Sequence, residues 1–503
     1  MNAPRAWAGG AGSSDEPARS DPFVSGLSEV IGGPLGAHAV RRGWGGRGFW
    51  TAARVVLALA CLTLTLHYVQ KSPCRDGAWT DLKQYRQFCY TDVLALYYAE
   101  GLNEGKVPYR DHPVEYPVLT GAFMGALGLP VHALGQAGRI GNEGQAFYDA
   151  NALVLGALGV ATAALLLALR RRRPWDVAMF AASPVLLLTA TVNWDLLAVA
   201  LAVAGLYAWA RRWPLAAGVL LGLGGAAKLW PLFLLGPVLL LAVRGRRTPE
   251  AVAAAGAAAV TWVLVNAPVY WLWPRSWGRF SELNWERPID WGTLWYIGDH
   301  FPRGGGRSGF ALFHTLAGQV ATLNLLTYAL MALAFTGIAA LALLAPRRPR
   351  LAQLAFLTVA AFLVLNKVWS QQFVLWLLPL AVLARPRWGA FLAWQAAEVG
   401  YFLAFYGELM GASGRQVIPE GVFVLAAGLR LVTVVVLSGL VVREILRPDL
   451  DPVRQTYGDD PDGGVLDSAP DAPWVTRLGR PRPAGPPVTG PAGTPPHRQP
   501  LPG

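Results

Sequence analysis

The sequence predicts an all-α, polytopic membrane protein of about twelve transmembrane helices with large extracytoplasmic loops, and three observations carry that expectation. Of its 503 residues 54% are hydrophobic and only 15% charged, whereas soluble domains hold roughly a quarter charged. Apolar runs such as residues 150–169, 251–270 and 420–442 match the roughly 20 residues a helix needs to cross ~30 Å of hydrocarbon. The net charge of +12 gathers in short arginine-rich loops between such runs, at residues 41–47, 170–173, 211–212, 244–247, 347–350, 385–387 and 443–447. That is the positive-inside distribution. It argues against a nucleic-acid binder, whose basic residues would share one face with aromatic or motif context.

The elements follow in order from that rule. Residues 1–48 and 447–503 are rich in Gly, Pro, Ser and Asp and read as disordered cytoplasmic tails flanking a membrane domain over 49–446. No apolar run precedes residue 50, so the first span is expected to be a retained anchor. Residues 116–134 look like a span. Letting them cross would place the arginines at 170–173 outside, so a re-entrant or interfacial segment is expected, in keeping with its Pro117, Pro130 and glycines. Residues 213–243 must instead turn near Lys228, and residues 351–384 must form a hairpin turning at 366–372. The spans then lie near 50–69, 150–169, 175–192, 195–210, 213–227, 229–243, 250–270, 316–345, 351–365, 373–384, 388–405 and 419–442. Several hold only about 12 to 15 residues, roughly 20 Å, and their outer ends should border a cavity open to the outer leaflet.

This topology, that of a multi-pass plasma-membrane protein, places almost all acidic, His and Trp-rich material outside, at 71–149, 193–195, 228, 271–314, 366–372 and 406–419. Cys74 and Cys89 fall together in the first outer loop, fifteen positions apart, and are expected to form a disulfide in an oxidising compartment. Asp92 opens a short helix over 93–102, where an acid suits the cap or first turn; catalysis is the competing reading. Asp81, Asp111 and Glu115 are the other acids of this loop. Lys228 and Lys367 each stand in a Lys-x-Trp context at a broken helix. Snorkelling to the interface is one reading, a bound anion such as phosphate the other. Asp195, in Asn193-Trp194-Asp195, closes a further outer turn, where it could cap the helix it starts. Residues 271–314 mix tryptophans, acids, arginines such as Arg275 and Arg279, and His300 and His314, a set suited to sugar faces and hydroxyls.

Taken together, Tyr90-Thr91-Asp92 before Tyr97, Gly101, Gly105, Pro108-Tyr109 and Glu115-Tyr116-Pro117, then Asn193-Trp194-Asp195, Gly222 through Lys228-Leu229-Trp230-Pro231, and Gln372 through Pro379 resemble glycosyltransferase family 87. The likeness spans about residues 50–445. It implies a GT-C-superfamily fold and a polyprenyl-phosphate-mannose-dependent mannosyltransferase acting outside the membrane, with Asp92 as its catalytic aspartate. Where relatives often read Ser-Pro-Gln-Tyr, this chain has Ser370-Gln371-Gln372-Phe373, a departure bearing on donor or acceptor preference.

Transfer from such a donor needs a base for an acceptor hydroxyl and cations for the departing phosphate, with no cofactor or metal expected. Asp92 is the expected base, with direct displacement inverting the anomeric carbon. Lys228, Lys367, Arg275, Arg279 and His300 are the donor phosphate candidates. Glu115, Tyr116, Asn193, Asp195, Gln371 and Gln372 are the substrate-binding candidates. The expected partners are a lipid-linked sugar donor and a cell-envelope glycolipid or polysaccharide acceptor. A lipid or solute transporter is the alternative, but transporters concentrate polar groups at the bilayer midplane, where this sequence has few.

Overall fold

A computed structural model describes residues 20–32, 49–303 and 307–478. The chain is an all-α membrane protein, and among the described residues the strands are one short hairpin pairing Pro302–Arg303 with Arg307–Ser308. Among the described residues six helices are long and apolar enough to cross a membrane: Ala52–Cys74, Val118–Gln136, Glu143–Leu169, Thr248–Leu272, Val320–Leu344 and Glu420–Leu446. Six shorter apolar stretches accompany them. Their arrangement follows from what each can bury. Leu351–Leu365 and Val374–Ala384 are apolar on every side and buried almost throughout, as expected of helices walled by other helices. The long helices keep large apolar side chains exposed, among them Leu264, Leu325, Leu333, Leu425 and Val436, which suits a lipid-facing surface.

Local sequence sets the boundaries. Thr51 and Asn142 cap the first and third long helices, accepting from the amides of Arg54 and Gln145. Pro214 starts the helix Pro214–Ala227, and the chain breaks where Lys228 turns extended before the 3₁₀ turn Trp230–Leu234. A second break spans residues 366–370, between Leu351–Leu365 and the 3₁₀ turn Gln371–Phe373. Residues 175–192, expected as one span, are instead three short pieces, Pro174–Val177, Ala178–Ala181 and Pro184–Thr189. The Ser183-Pro184 pair divides them, because proline has no amide to continue the ladder. Pro214–Ala227 packs closely on Thr248–Leu272: a Cβ on Gly218 would lie 2.1 Å from the Ala254 carbonyl oxygen, and one on Gly222 2.6 Å from that of Ala258. Small residues four apart let membrane helices approach this closely.

Val118–Gln136 is a continuous helix of 19 residues, Pro130 included, and its length alone would let it cross. Both of its ends are nonetheless held at the same end of the bundle. Thr120 donates to the Ala227 carbonyl, while His132 pairs at 3.1 Å with Glu143, the first residue of Glu143–Leu169.

The expectation of a disordered tail from residue 447 is corrected by the structure as far as residue 478. The short helices Pro452–Tyr457 and Pro473–Leu478 and two 3₁₀ turns lie against the arginine-rich loops. Arg170 donates two bonds to Asp462 at 2.7 and 2.8 Å. Arg350 bonds Asp451 at 2.7 Å, and Arg244 bonds Asp471 at 2.8 Å. All three arginines are fully buried, so each charge needs the carboxylate it has found. Asp460 accepts from the Leu351 amide at 2.7 Å, closing the start of a core helix. In the other expected tail a helix covers Pro22–Gly32; residues 1–19, 33–48 and 479–503 lie outside the described residues.

Candidate active site

At the end of the bundle opposite the arginine loops, the broken helices border one cavity of about 960 Å³. Its lining combines polar side chains, Asp92, Glu115, Asn193, Lys228, Arg287, Asp290, Lys367, Gln371 and Gln372, with apolar ones, Met331 and an aromatic patch in which Phe233 packs on Phe335 and Phe362, and Phe362 on Trp376.

Asp92 reaches this cavity because its short helix is stitched to the turn at 191–193. The helix Asp92–Ala99 is capped by Thr91, whose hydroxyl accepts from the Val93 amide at 3.2 Å. Asp92 is therefore the first helical residue, and its carboxylate is not occupied in capping. The Asp92 amide donates to the Val192 carbonyl at 2.7 Å, and the Thr91 hydroxyl to that of Thr191 at 2.6 Å. Behind this seam His67 bonds the Thr191 hydroxyl at 2.7 Å, and the buried Lys71 ammonium donates to the Tyr90 carbonyl at 2.9 Å. The preceding loop is closed by a disulfide between Cys74 and Cys89, whose Cα atoms lie 5.6 Å apart.

A chain of polar contacts fixes the Asp92 carboxylate. Asn193 donates to Asp92 Oδ2 at 2.8 Å and to the Tyr116 hydroxyl at 2.7 Å. Lys228 Nζ donates to Asn193 Oδ1 at 3.2 Å and pairs with Asp195 at 3.5 Å. Asp195 in turn accepts from Trp376 Nε1 at 2.6 Å. The cavity leaves Asp92 half-buried. The surrounding protein nevertheless withdraws water and pushes its carboxyl above the usual range, against the opposing pull of Asn193, Tyr90 and Lys228. Burial and the charge of Asp92 raise Glu115 likewise.

Across the cavity Lys367 stands at the second helix break. Its Nζ donates to the Trp285 carbonyl at 3.1 Å, and burial beside Arg287 lowers its pKa to about 8. Arg287 is held only loosely, 3.5 Å from Asp290. The Asp290 amide donates to the Lys367 carbonyl at 2.8 Å, tying this loop to the turn. Two cations side by side at a cavity wall form an arrangement that a bound anion relieves.

Of the sequence-expected residues, the structure thus gathers Asp92, Glu115, Tyr116, Asn193, Lys228, Lys367, Gln371 and Gln372 around one space. Four do not join them. Asp195 is fully buried behind Lys228 and Trp376, so it orients the lysine and does not meet a substrate. Arg275 is exposed and off the cavity. Arg279 pairs with Glu282 at 3.2 Å on the surface. His300 stacks on Tyr296, ring centroids 4.0 Å apart, beside Glu420. Sequence reasoning missed Arg287, Asp290, Tyr90 and Trp285. The available signal for Arg287 was an arginine on the side that the positive-inside rule leaves poor in them.

A family model described as glycosyltransferase family 87 matches residues 123–370. That stretch takes in Asn193, Lys228, Arg287, Asp290 and Lys367 and begins after Asp92. No curated protein matches the chain.

Proposed function

We propose, from the match of residues 123–370 to glycosyltransferase family 87, that the chain is a membrane glycosyltransferase that moves a hexose, mannose by the family likeness, from a polyprenyl-phosphate donor to a cell-envelope glycolipid or polysaccharide on the extracytoplasmic side. The observation that carries this reading is the mixed lining of one cavity: polar groups around Asp92 together with apolar side chains such as Met331 and Phe335 on Val320–Leu344. A lipid-linked sugar has the same two parts, joined at a phosphate.

In the proposed reaction Asp92 accepts the proton of an acceptor hydroxyl as its oxygen attacks the anomeric carbon. The bond from that carbon to the phosphate oxygen breaks with its electron pair, releasing polyprenyl phosphate and inverting the centre. A phosphate is already a good leaving group, so stabilising its charge matters more than protonating it. Lys367 and Arg287 suit that role, because Lys367 donates to a backbone carbonyl and the Arg287 to Asp290 pair is part-exposed, whereas Lys228 and Asp195 form a buried pair at the same 3.5 Å. Lys228 already has Asp195 and serves chiefly to orient Asn193 and lower the charge density around Asp92. Glu115, Tyr116, Gln371 and Gln372 supply hydrogen bonds for sugar hydroxyls.

The test is transfer from radiolabelled polyprenyl-phosphate mannose into an envelope lipid extract by the purified protein. Label moving into an extractable glycolipid or polysaccharide supports the reading. Label that stays on the polyprenyl donor, with transfer from a nucleotide sugar instead, overturns it.

A further inference from the structure

The helix Glu420–Leu446 carries a fully buried arginine, Arg430, about ten residues into an otherwise apolar membrane-length segment. A charge at such depth is costly and marks a function or a strict structural need. Its surroundings are specific. The guanidinium lies between two rings, 4.1 Å from the centroid of Trp369 and 4.2 Å from that of Tyr401. It pairs with Glu398 at 3.0 Å, itself held by Trp394 Nε1 at 3.0 Å. Its two terminal nitrogens donate to the carbonyls of Trp369 at 3.0 Å and Ser370 at 3.2 Å.

Those carbonyls belong to the break at 366–370, where the chain has left one helix and not begun the next. Backbone groups in such a segment have no ladder and need outside partners. The Lys367 carbonyl takes the Asp290 amide and the Ser370 carbonyl the Phe373 amide; Arg430 bonds the Trp369 carbonyl and adds a second bond to that of Ser370. Trp369 is fully buried in the hydrophobic core, and among the described residues its indole Nε1 has no hydrogen-bond partner, so the ring is held by packing and by the guanidinium face. From the same turn Lys367, Ser370, Gln371 and Gln372 line the cavity.

We propose that Arg430 is a positioning residue for the transfer: clamped by Glu398, Trp369 and Tyr401, it holds the turn at 366–370 so that Lys367, Gln371 and Gln372 present their polar groups to the donor. This rests on the proposed function of the cavity. Lysine cannot replace it, since one ammonium lacks the planar fork that reaches two carbonyls while stacking on two rings.

The experiment compares Arg430→Lys and the double variant Arg430→Met with Glu398→Met, which removes both buried charges and so avoids leaving one unpaired. Transfer kinetics are measured with the donor and acceptor varied separately. Because the turn meets the donor phosphate in the ground state and more strongly as charge grows on it, the expected result is a fall of about 10- to 100-fold in kcat/KM for the donor, shared between a higher donor KM and a lower kcat. Acceptor KM stays unchanged. Folded variants with a normal kcat/KM for the donor would overturn the proposal, and the lysine variant decides it if the double variant does not fold. A second readout is independent of the reaction: in a Cys61→Ala background, a cysteine introduced as Ser370→Cys should react faster with a water-soluble maleimide once Arg430 is replaced, and an unchanged rate counts against the clamp. If the parent transfers no sugar from a polyprenyl phosphate yet the labelling rates differ, the functional reading fails and the clamp stands.

Discussion

Replacing Asp92 with asparagine separates chemistry from architecture at this site. The helix it begins is capped by Thr91, so the fold of that segment does not depend on the carboxylate. Asparagine keeps an oxygen to accept the 2.8 Å bond from Asn193, and nothing on the Lys367 and Arg287 wall is touched. What disappears is the base. Losing general-base assistance costs about 10²- to 10⁴-fold in rate, or roughly 3 to 5.5 kcal/mol in the barrier.

Stability should move the other way. The folded protein raises the Asp92 pKa above its unfolded value, so the charged form is disfavoured on folding. Stability attributable to this carboxyl is greatest at acid pH and lost as pH rises through the raised value. A neutral side chain removes that penalty, and Asp92→Asn should melt at or above the parental temperature at neutral pH. The assay is single-turnover transfer from radiolabelled polyprenyl-phosphate mannose, with donor KM and melting followed in parallel. Asp81→Asn and Asp111→Asn are controls, since these acids pair with Arg86 and Arg110 on the exposed loop. Near-parental turnover in folded Asp92→Asn protein would refute the assignment and move the role to Glu115, the neighbouring cavity acid.

Other expectations follow from the same geometry. kcat/KM for the donor should rise with pH as Asp92 ionises above the usual carboxylate range and fall as Lys367 loses its proton near pH 8; Lys367→Arg should abolish the descending limb, and a limb that persists in that variant would detach it from Lys367. Removing the Cys74 to Cys89 link by Cys74→Ser with Cys89→Ser opens a loop of separation 15, worth about 3 kcal/mol in the chain-entropy model. It should lower both the melting temperature and turnover, and unchanged values for both would mean that the disulfide does not hold the Asp92 segment. Gly222→Leu should destabilise the bundle by about 1–3 kcal/mol or more, because its Cβ would press on the Ala258 carbonyl; a melting temperature equal to the parent's would show that the two helices can separate without loss.

Much of the architecture is legible in the chain because charge and helix length constrain each other. The breaks at Lys228 and 366–370 follow from keeping every arginine loop on one side, and the helix ends in the structure fall there. Long-range partners are another matter. Asn193 meets Asp92 across 101 positions and Lys228 across 35, separations that no spacing rule encodes, so the polar chain linking them appears only in three dimensions. Arg287 and Asp290 stand in a stretch crowded with charged and aromatic residues, and the fold, which ties Asp290 to the Lys367 turn, decides which of them line the cavity. Composition misleads for the segment after residue 447, since Pro, Gly and Asp usually signal an inability to bury apolar area. Its stability comes instead from carboxylates meeting arginines, and the recurring Asp451, Asp459, Asp460, Asp462 and Asp471 opposite loops rich in arginine were the sign.

That acidic segment also imposes an order on biosynthesis. It follows Glu420–Leu446 in the chain and is translated after the loops bearing Arg170, Arg244 and Arg350, which are spread over 180 positions. Each of its aspartates Asp462, Asp471 and Asp451 completes a different one of those loops. A chain with one loop threaded to the wrong side cannot satisfy all three at once, and it keeps at least one carboxylate and one arginine without a counterion. Docking of this segment therefore requires all three loops at one end of the bundle, since a loop placed elsewhere would leave a buried charge without its counterion.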